Sequence, residues 1–280
     1  MTRVAARASD NVKGALGAAV DALTAAGVES PRLDAELLLA EATGLDRARL
    51  IASPEAEVVP AAARRFGEMV RRRLRREPVA YILGRKGFRH IELTVDRRVL
   101  VPRPETELLV ELALELAPDR VLDIGTGSGA IALAIAAELP GCEVTASDSS
   151  PAALEVAREN AERLGLSERV ELTRPILPPD VRSFDLVVAN LPYVSEAELE
   201  GLEPEVSRWE PREALLGGPD GLDVLRATIP AAAAFAPVLA LEIGEGQAGA
   251  VAEMLSEAGF EDVRTRRDLA GIERIVWGSR

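Results

Sequence analysis

Residues 120–138 constrain this chain more than any other stretch. Arg120-Val121-Leu122-Asp123-Ile124 is a short apolar run of the length of a buried strand, and Ala130-Ile131-Ala132-Leu133-Ala134-Ile135-Ala136-Ala137-Glu138 is a run of strong helix formers. Between them, Gly125-Thr126-Gly127-Ser128-Gly129 puts a glycine at every second position, where any side chain would keep the backbone from approaching a ligand closely. Strand, glycine turn and helix in immediate succession form the unit of a doubly wound α/β sheet. The G-x-G-x-G spacing lacks the third glycine position of the dinucleotide fingerprint, and no G-x-x-x-x-G-K-[ST] loop occurs, so nicotinamide and nucleoside triphosphate readings weaken.

The pattern extends in both directions. Strands are expected near 120, 143, 169, 185, 237, 260 and 272, alternating with helices near 105–116, 129–139, 151–164, 221–235 and 246–258, which makes a seven-stranded Rossmann-like sheet. Before it, residues 1–77 repeat helix-period apolar patterns with capping signals, as in Ser30-Pro31 followed by Leu33, Leu37, Leu38 and then Gly44, and predict a bundle of four or five helices. Residues 78–103 change character. Gly84, Gly87 and the alternation Ile91-Glu92-Leu93-Thr94-Val95 suggest a β-hairpin linker. The expected organisation is therefore a helical domain (1–77), a hairpin linker (78–103) and a sheet domain (104–280).

Ligands of such sheets bind outside the carboxyl ends of the strands, and three features fall at that edge. The first is the glycine turn at 125–129. The second is Asp148, which ends Glu143-Val144-Thr145-Ala146-Ser147 about 20 residues beyond the glycines, where a carboxylate accepts both hydroxyls of a ribose. Asp148-Ser149-Ser150-Pro151 is also good capping sequence, so an N-cap role competes with ribose binding. The third is Asn190-Leu191-Pro192-Tyr193, directly after the apolar run Phe184-Asp185-Leu186-Val187-Val188-Ala189. The Asn190 side-chain oxygen and the Leu191 carbonyl form an acceptor pair for an amino group. Pro192 brings no competing N–H and biases Leu191 toward an extended conformation. Tyr193 offers an aromatic face to a planar amide or base, or to a nearby sulfonium. A plain strand-ending turn with a core tyrosine is the bland alternative, and the glycine turn upstream lowers it.

Composition excludes several classes. One cysteine, Cys142, forbids an intrachain disulfide, and one histidine, His90, leaves no Cys/His cluster for zinc and little case for a Ser-His-Asp triad. No apolar stretch of about 18 residues occurs, and Arg3, Arg7, Asp10 and Lys13 interrupt the start of the chain, so a cytoplasmic protein is expected. The net charge of −13 is uneven: the first 100 residues carry 18 basic and 13 acidic side chains, the remainder 15 and 33. An acidic sheet domain repels a phosphate backbone, which disfavours free nucleic acid, DNA included, and favours a protein or small molecule as substrate. The exception is Arg64-Arg65 and Arg71-Arg72-Arg73-Leu74-Arg75-Arg76 on an expected helix over 60–76, read first as a solvated face and second as a contact to a partner or to ribosomal RNA.

Taken together, these residues resemble the release-factor glutamine methyltransferases of the PrmC/HemK family, nearly end to end. The resemblance is carried by Ala26-Gly27-Val28-Glu29-Ser30-Pro31-Arg32-Leu33-Asp34-Ala35-Glu36 and Glu77-Pro78-Val79-Ala80-Tyr81-Ile82-Leu83-Gly84. It continues through Val101-Pro102-Arg103-Pro104-Glu105-Thr106-Glu107, the glycine turn, the Asn-x-Pro-Tyr element and Glu210-Pro211-Arg212-Glu213-Ala214-Leu215. It implies S-adenosylmethionine as cofactor, held by Gly125, Thr126, Gly127, Ser128, Gly129, Asp148 and Asn190. It also implies methylation of the glutamine side-chain amide in the Gly-Gly-Gln motif of peptide chain release factors, with Asn190, Leu191, Pro192 and Tyr193 as catalytic and substrate-binding residues and no metal. The helical domain over 1–77 would be the substrate-recognition domain, and ribosome contact would be indirect. Arg103 and Glu105 are expected either at the floor of the cleft or in the linker.

Two departures from the family pattern stand out. Leu191 replaces a proline, at a position that contributes its backbone carbonyl. After the third strand, Glu171-Leu172-Thr173-Arg174-Pro175-Ile176-Leu177 lacks the family's usual Gly-Asp, which implies an adenine site that is weaker or differently built. Two alternatives remain at this stage. One is an RNA adenine methyltransferase, because Asn-Leu-Pro-Tyr is also similar to the ribosomal RNA adenine dimethylating family. The other is a non-catalytic adaptor for a release factor or the ribosome.

Overall fold

The structure is a computed structural model that describes residues 11–174 and 183–280. The chain divides into two units, Met1–Gly84 and Arg85–Arg280.

Among its described residues the first unit holds five helices, α1 (Val12–Ala25), α2 (Pro31–Thr43), α3 (Arg47–Ala52), α4 (Pro60–Leu74) and α5 (Val79–Leu83). Asn11 caps α1 by accepting from Gly14 N at 2.8 Å, Asp46 caps α3 by accepting from Arg49 N at 2.7 Å, and Gly44 closes α2 in the left-handed conformation (φ +71°). The core is aliphatic, built on Leu16, Leu23, Leu38, Leu39, Leu50 and Phe66. The arginine run on α4 is not uniformly solvated. Arg73 is buried against Asp34 (2.7 Å) and Arg72 pairs with Glu77 (2.6 Å), whereas Arg71 and Arg75 are exposed. A buried ion pair adds little net stability but is costly to break, so two of the arginines are structural.

The second unit opens with the hairpin β1 (Arg85–Phe88) and β2 (Ile91–Thr94), paired from Arg85 opposite Thr94 to Phe88 opposite Ile91. A single 3₁₀ turn, Pro104–Thr106, leads into α6 (Glu107–Leu116). There follow β3 (Arg120–Ile124), α7 (Ala130–Glu138), β4 (Glu143–Ser147), α8 (Pro151–Leu164), β5 (Val170–Thr173) and β6 (Leu186–Ala189). Short helices α9 (Glu196–Leu199) and α10 (Pro204–Ser207) precede α11 (Asp223–Ala232), β7 (Val238–Glu242), α12 (Ala248–Glu257), β8 (Asp262–Arg267) and β9 (Glu273–Ser279). The short helices escape a periodicity reading because four residues hold barely one turn.

Strands β3 to β9 form one seven-stranded sheet in the order β5-β4-β3-β6-β7-β9-β8, parallel except for β9, which runs antiparallel between β7 and β8. The expected α/β, doubly wound, seven-stranded Rossmann-like sheet is therefore present, preceded by helices and a hairpin. Leu186, Val187, Val188 and Ala189 are all buried, as a central parallel strand covered on both faces requires. Helix α7 is buried on nearly every side, from Ala130 to Ala136, which explains its run of small and aliphatic residues. From β3 the chain winds outward through β4 and β5, then returns to β6 on the other flank. The strand order thus reverses between β3 and β6, and a ligand crevice is expected there.

Candidate active site

The turn after β3 is held by its own neighbourhood. Gly125 N and Thr126 N both donate to Ser147 O at the end of β4 (2.8 and 2.9 Å), and Gly129 N closes the turn onto Thr126 O. All three glycines have positive φ, but they serve different ends. A Cβ on Gly129 would lie 2.8 Å from Leu133 Cδ1, so its role is packing against α7; a Cβ on Gly125 would meet Leu191 Cδ2 at 3.2 Å; one on Gly127 would meet nothing within 4 Å. Thr126 is turned inward, donating to Asp123 Oδ2 at 2.6 Å, and Ala132 N bonds the same oxygen at 3.2 Å. Asp123 is fully buried and, among the described residues, its Oδ1 has no partner; burial pushes its carboxyl up to about 7 against these two hydrogen bonds.

Asp148 supports the same turn. Its Oδ2 accepts from Gly127 N at 2.9 Å and its Oδ1 from Ser150 N at 2.8 Å. The cap of α8 is Ser150, which accepts from Ala153 N, so Asp148 is not spent as the N-cap. A carboxylate oxygen has more than one lone-pair site, and Asp148, half-buried at the rim, retains acceptor capacity toward a ligand.

A cleft of about 340 Å³ opens at the strand reversal, lined by Gly125, Thr126, Gly127, Ser128, Asp148, Asn190, Leu191 and Pro192 among others. Gly129 is not in its wall. A second, apolar hollow of about 210 Å³ lies beyond Asn190, between Tyr193, Leu202, Val206 and Leu215. Asn190, Leu191, Leu100, Arg103 and Ala214 line both. Of the Asn-x-Pro-Tyr residues, then, Pro192 faces the first hollow, Tyr193 the second, and Asn190 the boundary between them.

That boundary asparagine is held by another residue of the cleft wall. Asn190 Nδ2 donates to Thr106 Oγ1 at 3.1 Å. Among the described residues, neither Asn190 Oδ1 nor the Leu191 carbonyl accepts a hydrogen bond. Tyr193 Oη donates to Glu242 Oε1 at 3.2 Å, and its carbonyl accepts from Gln247 Nε2 at 2.9 Å. Burial, followed by the Glu242 charge, drives the Tyr193 phenol well above its ordinary value. Burial likewise pushes Glu242 up to about 7, with the nearby Thr106 hydroxyl and Tyr193 opposing; among the described residues Glu242 Oε2 has no partner.

A protein-family model described as the PrmC N-terminal domain matches residues 14–84, and one described as a methyltransferase domain matches residues 121–209. The release factor glutamine methyltransferase of Geobacter sulfurreducens is 45% identical over 259 residues, 90% of each chain. That of Moorella thermoacetica is 46% identical over 270 residues, covering 93% of this chain and 95% of its own. This chain belongs to the release factor glutamine methyltransferase family. Among solved structures, the hMettl16 catalytic domain in complex with MAT2A 3'UTR hairpin 6 is similar in fold alone, at a TM-score of 0.56 and 16% identity over 67% of this chain and 75% of that one. Membership of the methyltransferase family favours neither the RNA adenine alternative nor the adaptor.

Several residues that build this family member's cleft carried no assignment in the sequence. Arg98, Val99, Leu100 and Pro102 form one wall, although their segment reads as linker. Arg98 holds that wall by pairing with Asp96 (2.7 Å) and Glu159 (3.0 Å), and Arg103 pairs with Glu210 at 2.6 Å. Burial pushes the Glu210 carboxyl up, with Arg103 pulling the other way. Glu105 is not in either wall. Asn160, fully buried on α8, donates to Ser128 O and exchanges hydrogen bonds with Thr94, tying the hairpin and the glycine turn to one helix. Glu242 left one signal, an acid ending the apolar run Val238-Leu239-Ala240-Leu241. Gly217 and Gly221 left a glycine-rich loop; a Cβ there would lie 2.6 Å from Pro192 O and 2.3 Å from Tyr193 O respectively. Pro175, Ile176 and Leu177, part of the segment whose sequence departs from the family pattern, lie outside the described residues. Among the described residues, no helix is long and apolar enough to cross a membrane.

Proposed function

We propose that this chain methylates the side-chain amide nitrogen of the glutamine in the Gly-Gly-Gln motif of peptide chain release factors, with S-adenosylmethionine as methyl donor. One observation carries the reading: Asn190 spends its Nδ2 on Thr106, so its Oδ1 and the neighbouring Leu191 carbonyl are two unused acceptors where the two hollows meet. An amide NH2 with both hydrogens accepted there has a fixed position and a fixed lone pair.

The first hollow suits the donor. Gly127 leaves open space beside the Asp148 carboxylate, which suits a ribose, and the glycine backbone admits close approach. Gly125, Gly127, Ser128, Asp148 and Asn190 would hold the donor, which supplies an electrophilic methyl group on a sulfonium. Thr126 and Gly129 serve by shaping the turn. The second, apolar hollow receives the segment that bears the glutamine.

A carboxamide nitrogen is a poor nucleophile because its lone pair is delocalised. Positioning must therefore supply much of the acceleration, and orientation of this kind lowers barriers by about 7–11 kcal/mol. No side-chain base is needed, because the methylated nitrogen becomes acidic and loses its proton to water. The test is incubation with labelled donor, purified release factor and ribosomal RNA, with the label located by mass spectrometry. Label on the motif glutamine is expected; label on RNA adenine, or on neither, refutes the reading.

A further inference from the structure

We infer that Gln247 is a positioning residue for methyl transfer, seating Tyr193 so that the Asn190-Leu191-Pro192-Tyr193 loop keeps its shape. The inference rests on the reading of that loop given above and extends it to a residue that lines neither hollow.

Gln247 stands at the start of α12, directly after Gly244-Glu245-Gly246. That N-cap position favours Ser, Thr, Asp or Asn, whose short side chains accept from the first free N–H groups of a helix. Gln247 makes no such bond, and α12 begins without a side-chain cap. Its amide is spent elsewhere. Oε1 accepts from Gly244 N at 2.9 Å, and Nε2 donates to the Tyr193 carbonyl at 2.9 Å. A backbone N–H only donates and a carbonyl only accepts, so these two partners leave the Gln247 amide a single orientation.

The surroundings are shaped to this contact. A Cβ on Gly221 would lie 2.3 Å from Tyr193 O and 2.8 Å from Gln247 Nε2, so that loop closes over the hydrogen bond at a point where no side chain fits. A Cβ on Gly244 would lie 3.2 Å from Tyr193 Cδ2 and 3.1 Å from Gln247 Oε1, which brings the tyrosine ring close against the turn. Gly221, Gly244 and Gln247 thus form a seat for one residue. Past it, Val194 N donates to Leu215 O and Gly217 N donates to Val194 O, both at 2.9 Å.

Seating Tyr193 reaches the chemistry in two ways. Tyr193 is part of the wall of the second hollow, and Leu191, two residues earlier, presents the carbonyl read as the second acceptor. The ring of Pro192 fixes φ between them, so few soft torsions separate the held carbonyl from the one meant for substrate. If Tyr193 were loose the acceptor would drift, and a misplacement of about 1 Å costs on the order of a hundredfold in rate. Glu242 holds the phenol end of Tyr193, Oη to Oε1 at 3.2 Å. Gln247 holds the backbone end.

The test uses the full chain with a purified release factor and labelled donor, comparing Gln247→Glu, Gln247→Met, Leu255→Ala and Asn190→Ala with the parent. Gln247→Glu keeps the length and the acceptor for Gly244 N but sets a carboxylate oxygen against the Tyr193 carbonyl, whereas Gln247→Met keeps the length alone. Both are expected to lower kcat at least tenfold while the calorimetric donor Kd moves less than threefold, and Gln247→Glu should be no faster than Gln247→Met. Leu255→Ala, which opens a cavity in the core against the same helix, should lower the urea midpoint at least as far yet keep kcat within threefold of the parent. A second readout needs no substrate. The chain has two tyrosines, Tyr81 and Tyr193, so carbon-13 labelling of tyrosine rings gives two sets of NMR signals. Those of Tyr193 should shift in both Gln247 variants and stay in place in Leu255→Ala, with Tyr81 as the internal reference. A kcat within threefold of the parent in both Gln247 variants, an equal loss of kcat in Leu255→Ala, or unmoved Tyr193 signals would overturn the inference. If one Gln247 variant does not fold, the other decides. Asn190→Ala separates the two claims: its full activity sinks the proposed function, whereas its inactivity beside fully active Gln247 variants sinks only the role of Gln247.

Discussion

The two loops that face each other across the cleft are built in opposite ways. The glycine turn at 125–129 is held by its own backbone, by Asp123 three residues from Thr126 and nine from Ala132, and by the end of the adjacent strand β4. The Asn190 loop is held by groups remote in sequence: Thr106 is 84 residues away from Asn190, Glu242 is 49 from Tyr193, and Gln247 is 54 from Tyr193. Gly217 and Gly221 press against its carbonyls from yet another loop. The turn that would meet the donor is thus fixed chiefly from its own strand and the neighbouring β4, although the cleft around it is completed by residues 98–102 and 190–192. The loop that would select a partner's amide is held from four separate places in the chain.

If that contrast is right, damage to the second loop should cost turnover and damage to the first should cost donor affinity. The largest effect is expected from Asn190→Ala, which removes one acceptor: kcat falls by about a thousandfold or more, about 4 kcal/mol of barrier, while the donor Kd from calorimetry changes far less because Gly125, Gly127, Ser128 and Asp148 remain to hold the donor. A loss of donor binding as large as the loss of turnover would break the comparison. Gly221→Ala comes next. Its Cβ would sit 2.3 Å from Tyr193 O at a φ of +76°, so unfolding free energy should drop by about 3 kcal/mol in urea denaturation, with kcat falling more than donor affinity.

A third effect separates the buried acids by pH. Asp123 is raised from 3.8 to about 7 by burial, so the folded chain binds its proton more tightly than the unfolded one. Its contribution to stability is present in acid and is lost as pH rises through about 7. Asp123→Asn removes that loss. The stability of the variant relative to the parent should climb between about pH 4 and pH 7, by at most about 1.4 kcal/mol per unit, and then level off. A difference that is flat across this window would show Asp123 to be ionised throughout. The smallest effect is expected at Gly127→Ala, where φ is +57° but the Cβ meets nothing. It should cost only about 1 kcal/mol of stability, while weakening the donor Kd measured by calorimetry. Equal donor affinity would remove Gly127 from the donor site.

The architecture was legible because each element declares itself locally. The run at Leu186-Val187-Val188-Ala189 is apolar at every position, as a strand covered on both faces requires, and Ser150-Pro151 marks the start of α8 without help from elsewhere. The short helices α9 and α10 were not legible, and neither was the wall at 98–102, whose hairpin-like composition conceals that Arg98 anchors it through Glu159 on α8. The sequence by itself determined the sheet, the glycine turn and the presence of an asparagine at the end of β6, because these depend on apolar periodicity and on backbone conformations that only certain residues adopt. The tertiary structure alone decided which end of that asparagine faces the cleft. Amide orientation is set by hydrogen-bond partners, and those partners are brought together only when strands distant in the chain pack side by side.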